Sequence, residues 1–271
     1  MWWFLKFIIC ITFWAAVLSY CIYWYETANH EEEEREKPPF THILLGILDS
    51  MLGALFLALT YPFGRLKRTR VPKTPSKAGP VIVCLHGLFH NPSAWMLLRI
   101  RLHRAGFHNC YCPRYRSFKN DIPGAVKELE SELTKIREKH PEQGIIFIGH
   151  SLGGLLALYL STNHPSWPVR GIITLGTPFS GSKMAVFGLS RLAKSLLPKS
   201  RDFENLRTGI NWDTKIPGLA LYSAVDNMVL PVQSLRSSPE RWELKKTGPM
   251  SHIGMLWNKK VSKELIKRLQ T

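Results

Sequence analysis

Residues 145–154 read Ile145-Ile146-Phe147-Ile148-Gly149-His150-Ser151-Leu152-Gly153-Gly154. Four apolar residues, three of them β-branched, predict a buried strand, and Leu155 to Leu160 open a helix directly after it. Between strand and helix lies G-x-S-x-G with Ser151 at the apex. Glycines two before and two after the serine allow a turn too sharp for side chains. Such a turn lifts the hydroxyl clear of the sheet and points the N–H of Leu152 toward a reacting carbonyl. A plain glycine-rich strand-to-helix connection has the same letters, so the surroundings decide.

From about residue 79 strand and helix patterns alternate, which predicts an α/β architecture: a mostly parallel sheet with helices on both faces. Val81 to Leu85 is a buried strand ending in His86-Gly87-Leu88, where the Leu88 N–H is placed to serve as a second oxyanion donor. His86 belongs to the strand end and is read as fixing the loop, not as a base. A helix over Trp95 to Arg104, a strand over Phe107 to Tyr115 beside the first, and a helix capped by Asn120-Asp121 and running to about His140 follow. After the elbow comes a strand over Val169 to Leu175.

Residues 183–217 break the rhythm. Ala185, Leu189, Leu192, Ala193, Leu196 and Leu197 form an apolar set with Lys183, Arg191, Lys194, Lys199 and Arg201 among and after them. This predicts an insertion carrying an amphipathic basic helix, either a lid over the site or an ordinary surface helix.

A serine hydroxyl needs a histidine to take its proton and a carboxylate to hold that histidine, in the chain order Ser, acid, His on this architecture. Gly218 to Val225 is an apolar strand run whose next residue is Asp226, at the sheet end where the elbow lies. Asp202 and Asp213 are weaker candidates inside the insertion. His252 stands in Gly248-Pro249-Met250-Ser251-His252-Ile253-Gly254, between a last strand begun by Trp242-Glu243-Leu244 and a final helix over Met255 to Leu269. His164 follows the elbow helix and reads as a loop residue.

With His86-Gly87-Leu88, the Ser151 elbow, Ala220 to Asp226 and Ser251 to Leu256 in this order, residues 79–271 resemble an α/β-hydrolase, in particular the small bacterial triacylglycerol lipases. Leu175-Gly176-Thr177-Pro178 is similar as well. The resemblance implies a Ser151, Asp226, His252 triad, an oxyanion hole from Leu88 and Leu152, and a reaction that uses no metal or organic cofactor. Those lipases are soluble and have a shorter insertion, which leaves the substrate open.

The N-terminal quarter departs from that family. Residues 2–25 are apolar and aromatic with Lys6 as the single charge, long enough to cross a hydrocarbon core. Residues 40–63 are a second apolar run interrupted by His42 and Asp49. Gly46, Ser50, Ala54 and Ala58 recur every fourth residue, which predicts a close helix–helix seam with Asp49 near it. The reading is a membrane hairpin in residues 1–73, with an acidic loop from Glu31 to Lys37 and a basic flank of Arg65, Lys67, Arg68, Arg70 and Lys73, ahead of a catalytic domain in 74–271. An interfacial helix is the alternative for the second run. If both runs cross, the flank places the domain on the cytoplasmic side of a bacterial plasma membrane; if the second does not, the domain lies outside.

The chain carries 36 Lys+Arg against 20 Asp+Glu, a net charge of +16 that suits an anionic membrane surface. Zinc-finger, RNP and helix-turn-helix signals are missing, which sets nucleic acid aside. The five cysteines give no disulfide framework, and Cys110 and Cys112 are expected on opposite strand faces. Together these point to a membrane-anchored serine esterase or lipase acting on a lipid-like or small ester. An acyltransferase or thioesterase on the same triad, and a non-catalytic membrane interaction module, are the alternatives.

Overall fold

A computed structural model of the chain describes residues 2–29, 38–72 and 75–270. Six strands form one sheet: β1 (Val81–Leu85), β2 (Cys110–Tyr111), β3 (Ile145–His150), β4 (Val169–Leu175), β5 (Gly218–Tyr222) and β6 (Glu243–Lys246). Their order is β2-β1-β3-β4-β5-β6, and every neighbouring pair is parallel. Parallel strands need crossovers, and the crossovers put helices on both faces. The expected α/β class is therefore present. The chain turns from β1 outward to β2 and then returns to β3, so the sheet's direction of growth reverses between β1 and β3, and the carboxyl ends of those strands open a crevice there.

Helices α5 (Ile122–Lys139) and α6 (Leu152–Asn163) cover one face, burying Leu129, Leu133, Leu155 and Leu156 against Val83 and Phe147. Helices α4 (Met96–Arg104) and α9 (Lys259–Gln270) cover the other, burying Leu98, Leu102 and Leu265 against Ile82 and Ile148. Each such side chain taken from water contributes roughly 1.5–3 kcal/mol. The Asp121 side chain caps α5 by accepting the Gly124 N–H at 3.0 Å.

Two apolar helices precede this core, α1 (Trp2–Ala28) and α2 (Phe40–Thr60), packed as an antiparallel pair in which Tyr20 fills the space over Gly46. The short α3 (Lys67–Arg70) leads into the domain. The expected acidic loop and Lys73 lie outside the described residues.

Several expectations change. The seam of α2 is Gly46, Ser50, Gly53 and Leu57, whereas Ala58 is exposed, because the face serves two partners. Gly46 meets α1, while Gly53 meets Trp257 of the α/β domain. Asp49 points to that domain as well, not into the helix–helix seam. The insertion is three short helical pieces, a 3-10 turn over Lys183–Phe187, α7 (Arg191–Lys194) and α8 (Arg201–Thr208), and Leu189 is 97% exposed. The strand expected over Phe107 to Tyr115 is only Cys110–Tyr111, because this edge strand is paired on one side alone. The final helix starts at Lys259, after a 3-10 turn over Ile253–Leu256. Cys110 and Cys112 share a face, as residues two apart on an extended chain do, and their sulfurs lie with that of Cys84 within 4.8 Å of one another.

Candidate active site

Ser151 sits at the end of β3 with φ 54° and ψ −126°, a conformation that costs a non-glycine residue about 1–3 kcal/mol and persists only when its surroundings impose it. They do. The Ser151 N–H donates to the Leu175 carbonyl at 2.9 Å, and Thr177 Oγ1 donates to the Ser151 carbonyl at 3.1 Å. A Cβ on Gly149 would stand 2.5 Å from the Gly154 backbone, and one on Gly153 would stand 2.1 Å from the Leu85 carbonyl oxygen. Both glycines are required by that close approach. Ser151 is the N-cap of α6, so the Leu152 N–H lies in the first helical turn, where no helical carbonyl is available to it and the helix dipole is positive.

The loop after β1 lies across the crevice. His86 is buried and stacked on Tyr115, with ring centroids 4.2 Å apart and planes 2° from parallel. Tyr115 Oη donates to the His86 carbonyl at 2.6 Å. This fixed strand end presents Leu88 at the wall shared with Ser151.

β5 stops at Tyr222, three residues short of the expected strand run, and the turn over 223–225 delivers Asp226 into full burial. Its Oδ1 accepts the N–H groups of Met228 at 2.9 Å and Val229 at 3.0 Å. Its Oδ2 is left for His252 Nδ1, 2.7 Å away. With Nδ1 donating to the carboxylate, the His252 ring carries its lone pair on Nε2. The backbone of His252 is held from two sides: its N–H donates to Asn227 Oδ1 at 3.2 Å, and its carbonyl oxygen lies 3.1 Å from His150 Nε2.

Ser151 and His252 line one cavity of about 290 Å³. Its walls are largely apolar, with Met184, Ala185, Phe187, Ala193 and Leu196 coming from the insertion and Met228 and Val229 from the loop after Asp226. Three further histidines surround the site. Burial lowers His86 to about 4 and His90 to about 3, and it drives His150 well below the ordinary imidazole value. At neutral pH these rings are uncharged, and two of them meet main-chain oxygens: His86 Nδ1 lies 3.0 Å from the Gly87 carbonyl and His150 Nε2 lies 3.1 Å from that of His252.

Ser151, Asp226, His252, Leu88 and Leu152 thus converge at the β1–β3 crevice and its flank. The weaker candidates lie elsewhere. Asp213 pairs with Arg241 at 2.9 Å on the surface, Asp202 is in the exposed first turn of α8, and His164 bonds Glu130 at 2.9 Å while stacking on Trp167. Sequence reasoning missed His150 and Asn227. Each is adjacent to a residue it did pick out, which is the signal that was available.

A family model described as the alpha/beta hydrolase family matches residues 82–254. The chain belongs to that family. Among curated proteins it is similar to a pimeloyl-[acyl-carrier protein] methyl ester esterase of Yersinia enterocolitica, 31% identical over 102 residues, which are 35% of this chain and 36% of that protein. It therefore spans little more than a third of that relative's length. Among solved structures it is similar to Aspergillus fumigatus lipase B, with a TM-score of 0.63 and 16% identity over 74% of this chain and 55% of that one. It is also similar to the hormone-sensitive-lipase homologue EstE7 from a metagenome library, with a TM-score of 0.60 and 18% identity over 87% and 97%. At these identities the solved structures bear on the fold alone.

Proposed function

We propose that the protein is a membrane-seated serine carboxylic-ester hydrolase acting on esters of apolar acyl chains. The observation that carries the reading is the 2.7 Å bond between Asp226 Oδ2 and His252 Nδ1 beside Ser151 in one cavity. His252 Nε2 takes the Ser151 hydroxyl proton as Oγ attacks the carbonyl carbon. The resulting oxyanion is met by the N–H groups of Leu88 and Leu152, each worth about 3–4 kcal/mol to the transition state. His252 then protonates the leaving alcohol, and water, activated by the same ring, releases the acid from Ser151. The reaction needs no metal or organic cofactor.

The apolar cavity favours an aliphatic acyl group. The yersinial relative is named as a methyl ester esterase and the Aspergillus neighbour as a lipase, which is consistent with carboxylic esters. Seating on a membrane is supported by the outward faces of α1 and α2, where Trp2, Trp3, Trp14, Leu45, Leu48 and Leu52 are exposed, and by the net charge of +16. Exposed Phe187 and Leu189 lie in the insertion that walls the cavity. Because α2 packs on the catalytic domain from Ile43 to Leu57, the outer faces, rather than whole helices, are offered to lipid. Arg65 and Lys67 favour the cytoplasmic leaflet.

The test is labelling with a fluorophosphonate and hydrolysis of p-nitrophenyl esters by the wild type and Ser151→Ala. Labelling and turnover that vanish in the variant support the reading; a folded wild type inert in both assays overturns it.

A further inference from the structure

Apart from the Glu26–Lys183 pair, the side-chain hydrogen bonds described between α1 or α2 and the α/β domain gather on two loops, those that carry Asp226 and His252. Asp49 of α2 accepts the Ser251 N–H at 2.8 Å and the Ser251 hydroxyl at 2.7 Å through one oxygen, Oδ2. Ser251 in turn accepts the Gly254 N–H at 3.0 Å, and a Cβ on Gly254 would stand 1.8 Å from Asp49 Oδ2. His252 is thus inside a turn closed by a carboxylate from another element. A carboxylate inside an apolar helix is costly unless hydrogen bonds offset its burial, and here one of its oxygens takes two of them from the loop that carries His252.

The acid loop is held in the same way. Asn227 Nδ2 donates to Ser19 Oγ of α1 at 2.7 Å and to Ser50 Oγ of α2 at 3.3 Å, while its Oδ1 accepts the His252 N–H. Tyr20 Oη donates to the Val225 carbonyl at 2.9 Å, and Tyr23 Oη donates to the Ala224 carbonyl at 2.7 Å. Five polar side chains of the two apolar helices therefore end on residues 224–227 and 251, on either side of the Asp226–His252 pair. A helix pair that served only as a tether would need none of these bonds.

We propose that α1 and α2 form a positioning element of the triad, with Asp49 as its chief residue, so that seating the helix pair against the domain sets the acid and the base in register with Ser151. This rests on the triad reading above and adds that anchor and catalytic machinery are one mechanical unit. Asp49 touches neither substrate nor the reacting atoms; it acts through the Ser251 turn. A displacement on the order of 1 Å in a base costs about 100-fold in rate, so loosening this turn is felt in kcat rather than in binding.

The test compares Asp49→Ala and Asp49→Asn in the full chain, with p-nitrophenyl butyrate as substrate, fluorophosphonate labelling of Ser151 as a second rate, and thermal melting as the control for folding. In folded Asp49→Ala, kcat is expected to fall about 10- to 100-fold with KM within about threefold, and labelling to slow in proportion. Asp49→Asn keeps an acceptor oxygen for Ser251 and is expected to recover kcat to within about threefold of wild type. A folded Asp49→Ala with wild-type kcat and labelling overturns the proposal. Should Asp49→Ala not fold, the double variant Tyr20→Phe, Tyr23→Phe carries the test: reduced kcat at unchanged KM supports the proposal, and wild-type kcat overturns it. A folded wild type that neither turns over the ester nor takes the label overturns the triad reading, and this proposal with it.

Discussion

His150 Nε2 lies 3.1 Å from the main-chain oxygen of His252, with the two rings 4.6 Å apart between centroids. The residue immediately before Ser151 therefore holds the loop that carries His252. The contact works as a hydrogen bond when His150 Nε2 carries a proton and the ring is neutral, the state that burial favours. His90, half-buried at the cavity wall, stacks on His150 at 5.7 Å, and desolvation together with the neighbouring imidazoles lowers the proton affinity of both rings.

Acid should destabilise the fold early. In the unfolded chain the three imidazoles of His86, His90 and His150 take up protons near pH 6.5. In the fold His86 is held to about 4, His90 to about 3, and His150 well below its ordinary value. Their folded proton affinity is lowered, so the stabilising difference is fully present above about pH 6.5 and is lost as pH falls toward 4 and then 3. Three groups give a limiting slope of about 4 kcal/mol per pH unit. The melting temperature is expected to drop steeply below pH 6, and a level one between pH 7 and 5 contradicts the assignment.

Asp226→Asn should cost more than its size suggests. With its single oxygen kept for the Met228 and Val229 N–H groups, the amide turns its NH2 donor toward His252 Nδ1; with the oxygen turned to His252 instead, those two N–H groups lose their acceptor. The base is then held in the wrong tautomer, or in the right one without charge compensation. A loss of about 10³- to 10⁴-fold in kcat with little change in melting temperature is expected. A loss under tenfold counts against Asp226 as the acid.

The backbone at Ser151 gives a separate check. At φ 54° and ψ −126° glycine is at ease and alanine is not. Ser151→Gly and Ser151→Ala should both be inactive, but the glycine variant should be the more stable by about 1 kcal/mol, or roughly 2–4 °C in melting temperature. Equal melting would mean that the elbow is relaxed in solution.

Ala193 is buried in α7 and lines the cavity together with Leu196. Ala193→Phe puts a ring where an acyl chain would lie, and each methylene excluded is worth about 1–3 kcal/mol. Hydrolysis of p-nitrophenyl octanoate is expected to fall at least about tenfold in kcat/KM while the acetate changes by under about threefold. Equal losses on both esters would place the acyl group elsewhere.

Chemistry and local geometry were legible together in the Ser151 elbow, because two glycines and a strand end leave the chain little choice. Asp226 was expected as a strand end and stands instead four residues past the end of β5, in the loop that follows it, while His252 stands in the expected loop before the last helix. Partners distant in sequence were not legible. Asp49 meets Ser251 across 202 positions, and an apolar helix face looks alike whether it meets lipid or protein. A carboxylate in an apolar run marks Asp49 as a residue that needs a partner, but nothing local in the sequence says that the partner lies on the loop of His252 rather than on α1. The extent of β2 failed on similar grounds: the apolar run from Phe107 to Tyr115 suits a strand, but only Cys110 and Tyr111 find register with Ile82 and Val83.

The same long-range contacts bear on where the catalytic unit begins. Leu57 packs in the cluster that holds Ile82, Cys84 and Trp95, Gly53 lies against Trp257, and the Tyr61 carbonyl accepts from Asn91 Nδ2 at 2.8 Å. Removing residues 1–64 strips all of these and leaves the Ser251 turn without its carboxylate, so this truncation is expected to lose cooperative melting along with activity. Residues 2–15 are different: among the described side chains of α1, burial begins only at Ala16. Deleting residues 2–15 should leave kcat on a short soluble ester within about threefold and the melting temperature within about 3 °C, while sedimentation with vesicles of phosphatidylcholine and phosphatidylglycerol falls clearly. If the long truncation folds and turns over esters at the wild-type rate, α2 is no part of the catalytic unit; if the short one binds vesicles as well as the full chain, the exposed tryptophans of α1 are not what seats the protein on lipid.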